Sequence, residues 1–210
     1  MVAIRQRTEG IGPMPTYDSS DERQNWNRRY SDGSHGSFEP DPFLLSAYDD
    51  FIQPLFPKSG SALDIAGGTG RHAIWLAELR WKVTVVDISE VAFKKAKQKA
   101  DERDVKINFL VRDLRSFDPG EEKYDLVVVF FYLQRDLYPS LVKALKPGGL
   151  LVYKTYTEEH KTRHARTIRH PEYYLQPNEL LHTFLRLDIL HYRETVEERG
   201  LAELVARKPK

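Results

Sequence analysis

From residue 60 onward the chain alternates. Apolar, strand-length runs at Ala62–Ile65, Lys82–Asp87, Lys106–Val111, Tyr124–Phe131 and Leu150–Thr155 are separated by helical stretches at Arg71–Leu79, Glu90–Arg103 and about Arg135–Leu145. Alternation of this kind implies a parallel sheet with helices covering both faces. The run YDLVVVFFYL, 124–133, is apolar almost throughout, as a central strand buried on both sides requires. After residue 175, PNELLHTF reads as a helix. LRLDILHYRE and GLAELVARK read as strands joined by a turn at Glu198-Arg199-Gly200, forming a closing antiparallel hairpin.

Ahead of the sheet the chain is less regular. Residues 1–18 contain Gly10, Gly12, Pro13 and Pro15 without periodicity, which predicts a mobile tail. Ser19 and Glu22 have the spacing of a capping box. A short helix through RQNWNRRY should follow and end at SDGSHGS. A second helix spans about 42–56, with Pro42 in its first turn. The expected division is a tail and helical lid over 1–40 and one catalytic domain over 41–210. In the helix Glu90–Arg103, Lys94, Lys95, Lys97 and Lys99 lie mostly away from the stripe of Ala92, Ala96 and Ala100, which predicts a solvated face.

The 210-residue chain has no cysteine, which removes disulfides, thiolate metal sites and a cysteine nucleophile from consideration. Its net charge is +1, which by itself points to no nucleic-acid partner. No apolar run approaches the roughly 20 residues of a membrane span, and the N-terminus has no signal-peptide core. A cytoplasmic protein is the expectation.

The first strand runs into a glycine loop, ALDIAGGTGRHAIWLAEL, 62–79. Gly68-Thr69-Gly70-Arg71-His72-Ala73 matches the G-x-G-x-x-G/A pattern of dinucleotide sites. In those sites the helix N-terminus faces a pyrophosphate. Asp64, at the strand end, would repel it. A carboxylate there suits a ligand carrying a positive charge, such as the ammonium of S-adenosylmethionine; a turn-capping role is the plainer alternative. Gly67 and Gly68 would let the backbone approach the ligand. Asp87 ends the second strand, where an acid accepts from ribose hydroxyls; it could also cap the next helix, in competition with Ser89. Asp113 follows the third strand, where an acid can accept from an adenine amino group while the Leu114 amide serves the ring; otherwise it is a turn residue. Three acids at consecutive strand ends mark one edge of the sheet, where open α/β folds bind ligands.

These motifs, LDIAGGTGR, VVDIS, VRDL, YDLVVVFFYL and LKPGGLLVYKTY, resemble those of class I S-adenosylmethionine-dependent methyltransferases over about residues 60–207. Within that class the chain is most similar to the small branch holding tellurite-resistance and thiopurine-type enzymes. The resemblance implies a Rossmann-like, mostly parallel seven-stranded sheet of order 3-2-1-4-5-7-6, with strand 7 antiparallel. It places Asp64, Ala66, Gly67 and Gly68 on the methionine side of the donor, Asp87 and Ile88 at the ribose and one adenine face, and Asp113 and Leu114 at the adenine edge. Phe130 would lie near the sulfur. Ala66 departs from the family, which usually has glycine there.

Methyl transfer is an in-line displacement that asks mainly for alignment and a dry site. The strand-four exit VVFFYLQR lacks the Asn/Asp-Pro-Pro-aromatic tetrad common in enzymes that methylate nucleic-acid or glutamine amines. Phe130, Phe131 and Tyr132 would form an aromatic wall instead, with Phe130 and Tyr132 the candidates nearest the chemistry and Phe131 equally suited to the core. The expected acceptor is therefore a small molecule with an S, Se, Te or O nucleophile, possible alternatives being RNA, protein, or donor binding without catalysis. An NAD-linked oxidoreductase is opposed by Asp64 and by KPGG. Trp26 and Tyr30, four apart, share a helix face. With Arg29, which could pair with the donor carboxylate, they suggest either a lid or a docking helix. The segment 158–174 carries Lys161, Arg163, Arg166, Arg169, His160, His164 and His170. It would attract an anionic acceptor or stay solvated, and it has no metal-site spacing. The oligomeric expectation is a monomer or homodimer.

Overall fold

A computed structural model describes residues 19–33, 36–159, 171–196 and 200–210. Seven strands form one sheet: β1 Ser61–Ile65, β2 Lys82–Asp87, β3 Ile107–Val111, β4 Tyr124–Phe130, β5 Leu145–Tyr156, β6 Asp188–Thr195 and β7 Leu201–Arg207. Their order is β3-β2-β1-β4-β5-β7-β6. β1 to β5 pair in parallel, and β7 runs antiparallel to both β5 and β6. This is the order the resemblance implies. The hairpin turn predicted at 198–200 lies mostly outside the described residues.

The helices are α1 Ser19–Ser31, α2 over 42–55, α3 Arg71–Glu78, α4 Glu90–Glu102, α5 Tyr138–Ala144 and α6 Glu179–Thr183. They bury two apolar clusters, one on each sheet face. Leu63, Ile65, Val127, Val129 and Leu151 face one cluster with α5 and α6; Ala62, Val85, Val128 and Val152 face the other with α2, α3 and α4. The period-two alternation along β4 divides its side chains between them.

Local sequence accounts for the departures from expectation. Asp41 caps α2 by accepting from the Phe43 amide at 2.9 Å. Pro54 has no N–H to continue the ladder, and a π turn at Tyr48–Ile52 interrupts the predicted single helix. The helix expected over 135–145 begins instead as a 3₁₀ turn, Arg135–Leu137, with Pro139 opening the α segment. β5 starts at Leu145, before KPGG, where Leu145 pairs with Tyr124 of β4, and Gly148 and Gly149 bond to Lys208 of the C-terminal segment. In α4 the alanine stripe is buried as predicted. Lys95, however, donates to the Tyr30 carbonyl and ties down α1.

Candidate functional site

The site forms where β1, β2 and β3 end. The register pairs Ile65 with Val86 and Asp87 with Val111, so the three strand ends lie side by side. Between β1 and α3 the backbone turns through left-handed conformations at Ala66, φ 53°, Gly68, φ 55°, and Gly70, φ 73°. A Cβ on Gly67 would sit 2.4 Å from Val85 Cγ2 and 2.7 Å from Asp64 Oδ2; one on Gly68 would sit 2.4 Å from the Tyr30 hydroxyl. Both positions require glycine. Ala66 is a side chain held where glycine is easier. Ala66→Gly is expected to raise stability by about 0.5–1 kcal/mol, the relief of left-handed strain less the added freedom of the unfolded chain. Urea midpoints at matched slope check this.

Asp87 accepts from the Gly68 amide at 2.9 Å and the Ser89 amide at 2.8 Å. It thereby fastens the glycine loop to the end of β2. Helix capping falls to Ser89, whose hydroxyl accepts from the Ala92 amide at 3.1 Å. Burial raises the pKa of Asp87, against three backbone amides, Ser89, Gly68 and Ile88, that lower it. Each carboxylate oxygen retains a second lone pair for a ligand hydroxyl. Asp113 caps the turn at Leu114–Ser116 through the Arg115 amide, and its carboxylate pairs with the Arg115 guanidinium at 2.7 Å. That side-chain bond, chiefly, draws its pKa down. The turn-residue role of Asp113 is thus present; a donor-facing role remains compatible with it.

Asp64 differs from both. It is 1% exposed, and among the described residues neither carboxylate oxygen has a hydrogen-bond partner. Burial pushes its pKa up to about 7; Arg71 opposes the rise and Asp87 adds to it. The Ala73 amide, in the first turn of α3, also favours the charge, short of a full hydrogen bond. A buried carboxylate without partners is costly. A ligand cation beside it would remove that cost, and a pyrophosphate would add to it. The unpartnered acid and the glycine cradle beside it fit the amino-acid end of S-adenosylmethionine.

The helix α1 crosses these strand ends. Asn27 accepts from the Ser89 hydroxyl at 2.7 Å, Arg23 lies 3.7 Å from Glu90, and Glu22 lies 3.5 Å from Arg115. The Trp26 and Tyr30 rings are 5.8 Å apart on one face, and Arg29 lies over Trp26 at 5.0 Å. Tyr30 is 9% exposed, with its pKa raised by burial, then by Asp87. The i, i+4 spacing predicts the shared face, but gives no sign that Tyr30 rests on Gly68.

At the end of β4, Phe130 is buried, with its ring 4.2 Å from His72 and 6.3 Å from Phe43. Phe131 adopts φ 57°, a strained conformation for a bulky residue. This breaks the alternation expected there. Phe130 and Phe131 join the same cluster, and Phe131 is half-buried against Tyr156 at 5.1 Å. Tyr132 passes to the opposite cluster, and its hydroxyl donates to Gln134. The aromatic wall is therefore Phe130 and Phe131; Tyr132 lies toward Asp113, whose charge, with Glu22, adds to the burial that raises its pKa.

Sequence reasoning passed over three groups here, Arg71, His72 and Lys154, and over the contact of Tyr30 with the glycine loop. His72 is 2% exposed, its Nε2 has no partner among the described residues, and burial lowers its pKa. Lys154 is the clearest missed signal, a charge inside the apolar run LLVYKTY. It pairs across the sheet with Phe130 and Glu203. Its Nζ donates to Asp41 at 2.8 Å and lies 3.1 Å from Glu203 Oε1. The basic residues at 160–170 lie outside the described residues. Among the described residues no helix is long and apolar enough to cross a membrane.

Comparison with known proteins agrees with this geometry. A family model described as a methyltransferase domain matches residues 62–149. Alpha N-terminal protein methyltransferase 1 of Caenorhabditis elegans is 30% identical over 172 residues, covering 70% of this chain and 72% of that protein. Ribosomal protein L11 methyltransferase of Campylobacter concisus (strain 13826) is 35% identical over 121 residues, covering 54% and 42%. The chain spans about half the length of the first curated relatives it matches. The N-methyltransferase NodS of Bradyrhizobium japonicum WM9, solved with S-adenosyl-L-homocysteine, shares the fold with a TM-score of 0.66 at 19% identity, over 90% of this chain and 98% of that one. Strand order, glycine loop and sequence relatives together place the chain in the class I S-adenosylmethionine-dependent methyltransferases.

Proposed function

We propose that this chain transfers a methyl group from S-adenosylmethionine to a small-molecule acceptor, an S, Se, Te or O nucleophile, as in the tellurite-resistance and thiopurine-type branch. The observation that carries the acceptor class is the strand-four exit. Phe130 and Phe131 form an aromatic surface flanked by the cations of Arg71 and Lys154, whose charged groups lie 5.6 and 5.9 Å from the Phe131 ring centre. No polar tetrad for an amine is present in the sequence there. Aromatic rings suit a flat or polarisable acceptor; the charge of Lys154 is already met by Asp41 and Glu203.

In this reading Asp64 holds the donor ammonium, and Gly67 and Gly68, with Ala66, admit the methionine portion. Asp87 and Ile88 hold the ribose and one adenine face, and Asp113 and Leu114 hold the adenine edge. The bound donor supplies an electrophilic methyl group and a neutral thioether leaving group. Phe130 and Phe131 align the acceptor and exclude water. Trp26, Tyr30 and Arg29 of α1 close the site. Deleting residues 1–35 is expected to leave a folded chain whose turnover falls at least about tenfold as water enters the site; far-ultraviolet circular dichroism and methyl-transfer rates measure the two halves of this statement.

A protein acceptor is the second reading, favoured by the name of the Caenorhabditis elegans relative. A transfer assay with tritiated methyl donor decides. Labelling of small thiols, selenite, tellurite or phenols supports the first reading. Labelling confined to peptides or RNA contradicts it.

A further inference from the structure

We propose that Arg71 binds the carboxylate of the donor's amino-acid tail, so that Asp64 and Arg71 form a matched pair for a zwitterion. The inference rests on the methyltransferase reading and names a group that sequence reasoning assigned to Arg29. An α-amino acid presents an ammonium and a carboxylate a few bonds apart. A site for it needs opposite charges at similar spacing. The loop Ala66–Gly70 has Asp64 two residues before it and Arg71 directly after it.

Arg71 is poorly committed elsewhere. Among the described residues its one ion pair is a 4.0 Å contact with Asp41 Oδ2. Asp41 is itself held at 2.8 Å by Lys154 through its other oxygen. The Arg71 side chain is 24% exposed, and its guanidinium lies over the Phe131 ring at 5.6 Å, beside the site's aromatic wall. Its charge acts on Asp64 and on Tyr30, the two groups flanking the glycine cradle. The charges acting on Asp64 are those of Arg71 and Asp87; Arg29 is not among them. Arg29 is exposed on α1 and stacks on Trp26. A guanidinium fork matches a carboxylate through two parallel hydrogen bonds, and Arg71 can turn to a ligand without breaking a short ion pair.

The test is calorimetric titration of the full chain at pH 8 with three probes. S-adenosylhomocysteine carries both charges. S-adenosyl-3-thiopropylamine keeps the amine and lacks the carboxylate. 5′-Methylthioadenosine lacks the amino-acid tail. Arg71→Met is expected to weaken S-adenosylhomocysteine about 10- to 100-fold, the range for a charged hydrogen-bonded pair. The decarboxylated probe should lose less than about threefold and the tail-less probe nothing, which also shows that the variant folds. Arg71→Lys should restore part of the loss. An equal loss for all three probes would overturn the proposal, since Arg71 would then act through the fold. So would full affinity in Arg71→Met with the loss carried by Arg29→Met. If the unaltered chain binds none of the probes, the methyltransferase reading itself fails, and the proposal with it.

Discussion

Asp64→Asn is expected to make the protein more stable and worse at binding the donor. Above pH 7 the gain in stability should be about 2–4 kcal/mol, the cost of ionising a carboxyl that burial has pushed from 3.8 up to about 7, reduced for polar atoms the amide leaves unpaired. The sign follows from proton binding. The folded chain holds a proton on Asp64 up to about pH 7, while an unfolded aspartate releases it near 3.8. Between those values the folded state binds more protons, so the unaltered protein loses stability as pH rises, and above pH 7 the loss is complete. Asparagine removes that slope, so the two proteins should have equal stability near pH 4 and diverge toward pH 7. Urea titrations at several pH values measure the difference. In the same variant donor binding should weaken at least about tenfold, the scale of a hydrogen bond to a charged group. Stability that falls with the substitution would mean that Asp64 supports the fold rather than a ligand.

Lys154→Met should cost about 3–5 kcal/mol, the range for removing one partner of a buried ion pair. Lys154, Asp41 and Glu203 have side chains 10%, 7% and 5% exposed. Register explains how they meet: Phe130, Lys154, Glu203 and Arg193 fall in one row across β4, β5, β7 and β6. Without the lysine, Asp41 keeps, among the described residues, its amide bond and the long contact to Arg71, and Glu203 keeps Arg193 at 2.8 Å. Two acids would then be buried with less than their due of positive charge. Adding Asp41→Asn and Glu203→Gln to Lys154→Met should recover most of the loss, because the cost lies in the uncompensated acids. Chemical denaturation of the single and triple variants tests this. A single variant within 1 kcal/mol of the parent would show that water reaches the network.

Much of this was legible in the sequence because it rests on local pattern. Alternating strands and helices gave the parallel sheet, and the ends of β1, β2 and β3 fell within two residues of Asp64, Asp87 and Asp113. The strand order came from resemblance, since periodicity says nothing about which strands are neighbours. What was not legible depends on residues far apart in the chain. Spacing told that Trp26 and Tyr30 share a face, but not that Tyr30 meets Gly68, 38 positions on. Pro42 marked a helix start, but the pairing of Asp41 just before it with Lys154 closes a separation of 113 residues. Phe131 was misjudged for a different reason. Alternation assumes extended backbone, and its positive φ ends the strand one residue early and turns its ring to the side of Phe130.

The central claim is that the glycine loop with its unpartnered buried acid, Asp64, recognises a cationic methyl donor and not a dinucleotide. The most direct measurement is calorimetric titration of the full chain with S-adenosylmethionine and, in parallel, with NAD and NADH. Micromolar binding of S-adenosylmethionine alone is predicted, weakening as pH falls below about 7, where Asp64 takes up its proton. Binding of NAD or NADH in place of S-adenosylmethionine would contradict it.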